Sequence, residues 1–283
     1  MEVAKSHLSV FDLDTKTSRI LLSLSEHIEA PNWSPDEKFL LVNGGGSLFS
    51  LFLDEHPAKL RSVDTGFADR LNNDHGISPD GSMIVISDRS QTEGSCIYTL
   101  LIEGGEPTRV TDKVPSYWHG WSPDGKTLTY TAKRGETFQI YTCPVGGGSE
   151  TQITEGFDHC DGPDYSADGA WIWFNGERGG EVDLFRIHPN GSDLQQMTFD
   201  KRVNWFPHPS PDGESVVYLA YEAGTRGHPA NRQVQLRIMP AEGGDAEVLC
   251  EFCGGQGTIN VPSWAPDSRR FAYVRYEQTG AEE

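Results

Sequence analysis

The sequence predicts an all-β fold built from a repeated unit, on three observations. A turn signal of the type Ser-Pro-Asp-Gly recurs along the chain, with its serine place at positions 34, 78, 122, 166, 210 and 265. Four of the intervals are 44 residues long and the fifth is 55. Each period also carries four short runs rich in β-branched and aromatic residues, which are typical of strands. A repeat of about 40–45 residues with four strands indicates the blade of a β-propeller.

The turn lies between the first and second strands of each unit. In the third copy Ser122 occupies the first corner, Pro123 fixes φ at the second, and Gly125 closes the turn, as expected for a type I turn. Some copies depart from this pattern. The departures are Glu37 and Ser268 in the glycine place, Ala167 in the proline place and Ala265 in the serine place.

The strands after the turn follow in a fixed order. In the third copy they are the run KTLTYT, the run TFQIYTC, a glycine-rich turn and the run SETQIT. The fifth interval is longer by a segment within Glu222–Gln233, where Gly224, Gly227 and Pro229 break any strand pattern. We therefore expect a loop there, between the second and third strands of the fifth copy.

The two ends of the chain complement each other. The chain starts with a third-type run, SHLSVFDLD, and a fourth-type run, TSRILLSL, and it stops after a second-type run, RRFAYVRYE. We predict that the terminal strands pair in one blade and close the ring, which removes free sheet edges. The expected fold is a six-bladed β-propeller of four-stranded blades, with residues 1–283 as a single domain.

Composition narrows the function classes. The net charge of −19 argues against nucleic acid as a partner, because phosphate backbones select basic surfaces. No apolar run is long enough for membrane insertion. The first residues lack an apolar signal core, so we expect a cytoplasmic location, or a periplasmic one if a signal peptide was removed. The cysteine count of five is odd and favours a reducing compartment, with Cys250 and Cys253 interpreted as structural or free thiols.

The face opposite the turns, which we call the loop face, is predicted to carry a ligand site. Strand direction places there the loops between second and third strands and the connections between units, and such loops usually form the binding surface of a repeat scaffold. His75 and His119 both lie three residues before the serine place, so they should be neighbours on adjacent units. The candidate ligand-binding residues are His75, His119, His159, His208, Asp74, Asp161, Tyr117, Trp118 and Trp205.

Two interpretations of this cluster stay open. Imidazole and carboxylate together suit a divalent transition metal, for which His75, His119, His159 and His208 are the candidate ligands. Alternatively, the polar groups have a structural role, because they line a water-filled channel and cap the ends of the blades. The sequence indicates no particular cofactor, although its histidines and carboxylates are compatible with a divalent metal ion.

Arginines fall in the loops on the same face, at Arg89, Arg134, Arg178 and Arg226. Guanidinium groups gathered on so acidic a chain suit a carboxylate or phosphate ligand. Alternatively, they are solvated loop tips. The expected partners at the loop face are therefore a protein, or a small anionic or carbohydrate ligand.

The repeats resemble the TolB-type propeller, a relative of WD-type propellers. The resemblance rests on the six turn copies, on the pattern IYTCPVGGGSETQIT and on the split closing blade, and it covers nearly the whole chain. It implies a propeller domain without the N-terminal α/β domain of TolB, acting as a ligand- or protein-binding module rather than an enzyme. The alternative it allows is a metal-dependent polysaccharide lyase of the oligogalacturonide type, since such lyases use similar blades with channel histidines.

Overall fold

The computed structural model describes the backbone of residues 3–278 and the side chains of residues 5–278, and every regular element in this range is a β-strand. The first twelve strands are β1 (Val3–Asp12), β2 (Thr17–Leu24), β3 (Glu29–Trp33), β4 (Phe39–Gly44), β5 (Ser47–Phe52), β6 (Arg61–Ser62), β7 (Leu71–Ile77), β8 (Met83–Asp88), β9 (Cys96–Leu101), β10 (Thr108–Arg109), β11 (Ser116–Trp121) and β12 (Thr127–Lys133). The others are β13 (Phe138–Pro144), β14 (Thr151–Gln152), β15 (His159–Tyr165), β16 (Ile172–Arg178), β17 (Glu181–Ile187), β18 (Gln195–Gln196), β19 (Val203–Pro209), β20 (Ser215–Tyr221), β21 (Arg232–Pro240), β22 (Glu247–Gly254) and β23 (Arg270–Gln278). The predicted all-β propeller is confirmed.

The prediction of six blades, each a separate four-stranded sheet, is wrong. The described strands form five hydrogen-bonded sheets: β3–β6, β7–β10 and β19–β22 have four strands each, β11–β18 form one sheet of eight, and β1, β2 and β23 form a sheet of three. The large sheet arises because a parallel pair, Phe138 with His159, joins β13 to β15. The small sheet lacks a fourth strand because the segment around Trp264 makes a single bridge to Phe271. Pro262 and Pro266 flank that segment, and proline has no backbone N–H for a ladder.

The ring closes through the two ends of the chain, as predicted. Strand β1 pairs antiparallel with β23 from Ser6 opposite Tyr276 to Asp12 opposite Arg270. Leu8 and Val274 are opposite each other and fully buried in the same apolar cluster. The closing pair is therefore part of the core and not a surface attachment.

The recurring turns form as their residues dictate. In all six copies the N–H in the glycine place donates to the carbonyl in the serine place, for example Gly125 to Ser122 at 2.8 Å. The glycine place requires a left-handed backbone, with φ at +69° for Gly125. Glu37 and Ser268 occupy the same place at +59° and +58°, a conformation that non-glycine residues rarely adopt. These two copies keep the turn geometry at the expense of local strain.

The segment predicted as a loop contains the connection between β20 and β21, residues 222–231, which is longer than the corresponding connections of the preceding units. The predicted loop is confirmed, although Arg232 and Gln233 already belong to β21. His228 in this loop lies near Asp161 of β15, at the loop face. All five cysteines are free, including Cys250 and Cys253 on β22.

Candidate functional site

A cavity of about 240 Å³ opens at the loop face, where the first halves of several inner strands converge. Strands β7, β11 and β15 and the segments around residues 228 and 256 contribute to its wall. Its lining residues are Asn72, Asn73, Asp74, Tyr117, His119, Thr131, Phe138, His159, Asp161, Phe206, His228, Gln256 and Asn260. The wall thus combines amide, carboxylate, imidazole and aromatic groups, which is the usual composition of a ligand pocket.

His119 is the buried centre of the cavity. Its Nε2 lies 3.1 Å from Oδ1 of Asp161 and 3.9 Å from Oδ1 of Asp74, and its Nδ1 lies 3.0 Å from the carbonyl oxygen of Asn260. Both ring nitrogens therefore face oxygen acceptors, and both must carry a hydrogen to donate. Burial alone would lower the pKa of His119, but the carboxylates of Asp74 and Asp161 outweigh it and raise the pKa to about 9.

The pKa values of the two carboxyl groups beside His119 are shifted in opposite directions. Burial raises the pKa of Asp74 to about 7, although the charge of His119 opposes the shift. Burial acts in the same direction on Asp161, but His119 and His159 beside it hold the pKa of Asp161 well below its usual value. At neutral pH Asp161 is ionised and Asp74 is close to its midpoint. Such a pair of carboxyl groups in one concave pocket is typical of a functional site.

Three imidazoles surround Asp161. Besides His119, the Nε2 atoms of His159 and His228 lie 3.7 Å and 3.6 Å from its Oδ2. The two rings are held by aromatic neighbours, because His159 packs on Phe138 with centroids 5.2 Å apart and His228 packs on Trp205 at 4.4 Å. The carboxylate is thus enclosed on one side by rings whose positions are fixed by packing.

The local backbone explains why Asp161 faces the cavity. The register of β15 against β16 is irregular between Asp161 and Asp164, so the strand is bulged there. Gly162 has φ at +58°, and a Cβ on it would lie 2.8 Å from a ring carbon of Phe206. Only glycine fits this position, because both the left-handed backbone and the close approach of Phe206 exclude a side chain.

Four buried polar atoms on the cavity lining make no hydrogen bond to a described residue, although one of them, His159 Nε2, lies 3.7 Å from Oδ2 of Asp161. They are Thr131 Oγ1, His159 Nε2, His228 Nδ1 and Gln256 Oε1. Buried polar atoms in folded proteins are nearly always paired, and an unpaired one destabilises the fold by about 1–3 kcal/mol. Because these atoms line one cavity, polar groups from outside the chain can pair with them there.

The structure brings together five of the predicted residues on the cavity wall: Asp74, Tyr117, His119, His159 and Asp161. Trp205 lies beside them and lines an adjoining open depression of the surface, which it shares with His159 and His228. Trp118 lies outside the cavity, fully buried in an apolar cluster, with its indole ring against Gly76.

His75 and His208 lie outside the cavity lining. The register of β7 against β8 is irregular between Leu71 and His75, and it is Asp74 that faces the cavity. His75 is fully buried, and this burial lowers its pKa to about 4. His208 has Nδ1 at 3.0 Å from Asp164 and Nε2 at 2.6 Å from the Ile259 carbonyl oxygen, so both nitrogens are occupied.

The predicted arginines are likewise outside the cavity lining. The guanidinium of Arg134 contacts Glu150 at 2.9 Å, and it donates to the Pro115 carbonyl and to the Ser116 hydroxyl, each at 2.7 Å. The guanidinium of Arg178 lies 3.8 Å from the ring centre of Phe157. Arg89 is exposed. Arg134 and Arg178 are therefore used in internal hydrogen bonds and packing, and Arg226 lines the adjoining depression.

Several wall residues were absent from the sequence-based set. Asn73 and Asn260 lie five residues before the serine place, as do Tyr117 and Asp161, so positional equivalence alone could have found them. His228 and Gln256 lie in segments without counterparts in the other units, and no periodic signal identifies them. Within the described part of the chain, no three His, Cys, Asp or Glu side chains form a group that could hold a metal ion.

Comparisons with known proteins agree with the fold. Residues 113–251 match the profile of a family described as "TolB beta propeller domain". An uncharacterized protein of Agrobacterium fabrum is 46% identical over 272 residues, covering 96% of this chain and 92% of its own. A solved structure described provisionally as TolB from Agrobacterium tumefaciens superposes with a TM-score of 0.95 at 46% identity, covering 97% of this chain and 99% of its own. The chain is a β-propeller protein, and it belongs to the TolB-type family.

One more distant relative carries a system name. The Tol-Pal system protein TolB of Francisella tularensis is 25% identical over 274 residues, which is 92% of this chain. The chain spans 59% of the length of that relative. Among residues 3–278, no helix has the length and apolarity needed to cross a membrane.

Proposed function

We propose that the protein is a binding module that receives a segment of a partner protein in the loop-face cavity. The observation that carries the proposal is a set of four buried polar atoms on the cavity lining that make no hydrogen bond to a described residue: Thr131 Oγ1, His159 Nε2, His228 Nδ1 and Gln256 Oε1. These atoms include both acceptors and imidazole nitrogens, which match the alternating N–H and C=O groups of a peptide backbone. The name of the Francisella relative, a member of the Tol-Pal system, supports a role among proteins.

The surroundings of the cavity suit a peptide better than a small anion. Two carboxylates, Asp74 and Asp161, face the cavity, and they disfavour the carboxylate or phosphate ligand that the arginines suggested. The open depression beside the cavity shares His159, His228 and Gln256 with it and extends to Arg226 and Pro229. A chain that enters the cavity can therefore continue over this surface.

The lyase alternative gains no support from the geometry. Its chemistry depends on metal-bound histidines, but His75 and His208 lie outside the cavity lining and no metal-holding group is found in residues 5–278. The cytoplasmic location and the absence of a nucleic-acid partner stay predictions.

The proposal is tested by selecting ligands and locating them. A random peptide display library is panned on the immobilised full chain, and the selected peptides are synthesised and titrated calorimetrically. Binding should weaken at least about tenfold in His228→Gln and in Asp161→Asn, because each removes a polar contact in a desolvated site. Gln91→Ala, an exposed site in the loop between β8 and β9, is the control and should bind as the wild type does. Failure to select any peptide, or equal binding by the two cavity variants, would refute the proposal.

A further inference from the structure

A second cavity opens at the opposite end of the molecule, among the recurring turns. It has a volume of about 370 Å³, and its wall is largely apolar. Indole rings and prolines from equivalent places in the repeats form this wall, among them Trp33, Trp121, Trp264, Pro35, Pro79 and Pro266. We call it the turn-face cavity. It shares no lining residue with the loop-face cavity.

One lining position of the turn-face cavity departs from the repeat. Ala167 occupies the position that is proline in the other turns, and it is an exposed residue of the lining. Three indole nitrogens on the wall, Trp33 Nε1, Trp118 Nε1 and Trp121 Nε1, have no partner among the described residues, whereas Trp264 Nε1 donates to the His208 carbonyl at 2.8 Å. The wall is thus both apolar and locally short of hydrogen-bond acceptors.

A ring of carboxylates surrounds this cavity, because every turn copy carries an aspartate: Asp36, Asp80, Asp124, Asp168, Asp212 and Asp267. Three of them have cationic neighbours in the chain, which are Lys38 for Asp36, Lys126 for Asp124 and Arg270 for Asp267. The other three, Asp80, Asp168 and Asp212, have no Lys, Arg or His nitrogen within 4.0 Å in the described part of the chain.

The three unpaired carboxylates are held in fixed orientations. In each, Oδ1 accepts from the serine hydroxyl of the turn and from a backbone N–H, for example Ser210 Oγ at 2.5 Å and Glu214 N at 3.0 Å for Asp212. Hydrogen bonds from Ser78 and from Ser82 lower the pKa of Asp80 to about 2, so it is ionised at neutral pH. No described group donates to their Oδ2 atoms, which are left for an outside donor.

From these contacts we propose that the turn-face cavity docks a basic segment of a protein partner, with an apolar side chain in the cavity and lysine or arginine side chains on Asp80, Asp168 and Asp212. Burial of the apolar side chain against the apolar wall stabilises the complex, and the pre-oriented carboxylates attract and align the lysine or arginine side chains. A second copy of this chain is the poorer occupant, since two such rims face to face would bring like charges together on a chain of net charge −19. The protein would then bind partners at both ends.

The probe is a short amidated peptide with a central leucine flanked by lysines, titrated calorimetrically into the full chain. Matched peptides replace the leucine by serine or the lysines by glutamates. The leucine peptide should bind at least about tenfold more tightly than the serine peptide, and its affinity should fall with added salt. The glutamate peptide should not bind.

Variants locate the bound peptide. Ala167→Arg adds bulk and positive charge to the lining and should abolish binding, whereas Gln91→Arg adds the same charge in a loop outside the turn-face cavity and should not. The triple variant of Asp80, Asp168 and Asp212 to Asn keeps an acceptor for each turn hydrogen bond, and it should bind about tenfold more weakly. Asp161→Asn in the loop-face cavity should bind the peptide normally, so this result is independent of the function proposed above.

Several outcomes would overturn the proposal. They are no binding by the wild type, equal affinity for the leucine and serine peptides, or unchanged binding by a folded Ala167→Arg variant. Light scattering on the wild type provides a further test. A dimer that Ala167→Arg dissociates would assign the cavity to a second copy of the chain and refute the basic segment.

Discussion

The Nε2 atom of His119 on β11 lies 3.1 Å from Oδ1 of Asp161 on β15, and the pair is buried at the head of the loop-face cavity. The other ring nitrogen of His119 faces the carbonyl oxygen of Asn260. This arrangement stabilises the charged imidazolium inside the protein, where burial alone would favour the neutral ring. The pair therefore makes the stability of the fold depend on pH.

The first prediction concerns this dependence. The pKa of His119 is about 9 in the folded chain and about 6.5 in the unfolded chain, so its contribution to stability is full below pH 6.5 and is lost as pH rises through 9. In Asp161→Asn the pKa of His119 should fall toward its ordinary value, and the loss of stability between pH 6.5 and 9 should shrink. Nuclear magnetic resonance titration of the ring protons and urea unfolding measure the two quantities.

Glu103→Gln removes an exposed carboxylate that makes no hydrogen bond to a described residue, and it serves as the control for Asp161→Asn. It should leave both the titration of His119 and the pH profile unchanged. A His119 signal that titrates near pH 6.5 in the wild type would contradict the assigned environment.

The second prediction is that Asp74→Asn stabilises the protein at alkaline pH. Burial raises the pKa of Asp74 from 3.8 to about 7, so the folded state holds a proton that the unfolded state has lost, and stability falls as pH rises from 3.8 through 7. Asparagine fits the same space, keeps an acceptor for Asn72, and does not ionise. We expect a gain on the order of 1–3 kcal/mol in the free energy of unfolding at pH 8 that fades toward pH 4. Equal gains at both pH values would show that the charge of Asp74 is not the cause.

The repeat could be predicted from the sequence because local chemistry alone determines it. Each turn needs only its own serine, proline, aspartate and glycine, and the strand runs follow at fixed distances. The division into sheets could not be predicted in the same way. It depends on the Phe138–His159 pair and on the failure of the segment around Trp264 to form a ladder, and both are set by tertiary approach rather than by the repeat.

The residues of the candidate site could be predicted where the strands follow the repeat, and could not be predicted where the strand register is irregular or a loop has no counterpart. Tyr117 and Asp161 share one position in the repeat, and both reach the cavity. His75 and His119 also share a position, but the irregular registers of β7 and β11 differ, and only His119 lines the cavity. His228 arrives on the loop of residues 222–231, which has no counterpart elsewhere in the chain.

The third prediction tests whether the closing strands carry the stability of the ring. Leu8 on β1 is fully buried opposite Val274, whereas Ile20 on the neighbouring β2 is 43% exposed. Leu8→Ala should lower the free energy of unfolding by about 2–4 kcal/mol, because it leaves a cavity in the apolar cluster that Leu8 shares with Val274. Ile20→Ala is the matched control and should cost less than about 1 kcal/mol. Urea unfolding measures both, and similar losses in the two variants would show that the closing pair contributes no more than surface strands do.

The fourth prediction concerns a close approach of two inner strands. A Cβ on Gly76 of β7 would overlap the six-membered ring of Trp118 on β11, and Trp118 is fully buried. Gly76→Ala should therefore destabilise the fold by about 1–3 kcal/mol through overpacking. Gly146 is the matched control, since it is exposed, has no atom within 4 Å of an added Cβ, and lies outside the left-handed region.

Gly146→Ala should be neutral or stabilising by up to about 1 kcal/mol, because alanine restricts the unfolded chain. A double-mutant cycle then identifies the ring as the cause of the loss at Gly76. In the background of Trp118→Leu, which removes the ring, Gly76→Ala should lose most of its cost, and the two changes should show a coupling energy of at least about 1 kcal/mol. If the two changes were additive, the cost at Gly76 would come from its own backbone and not from the contact with Trp118.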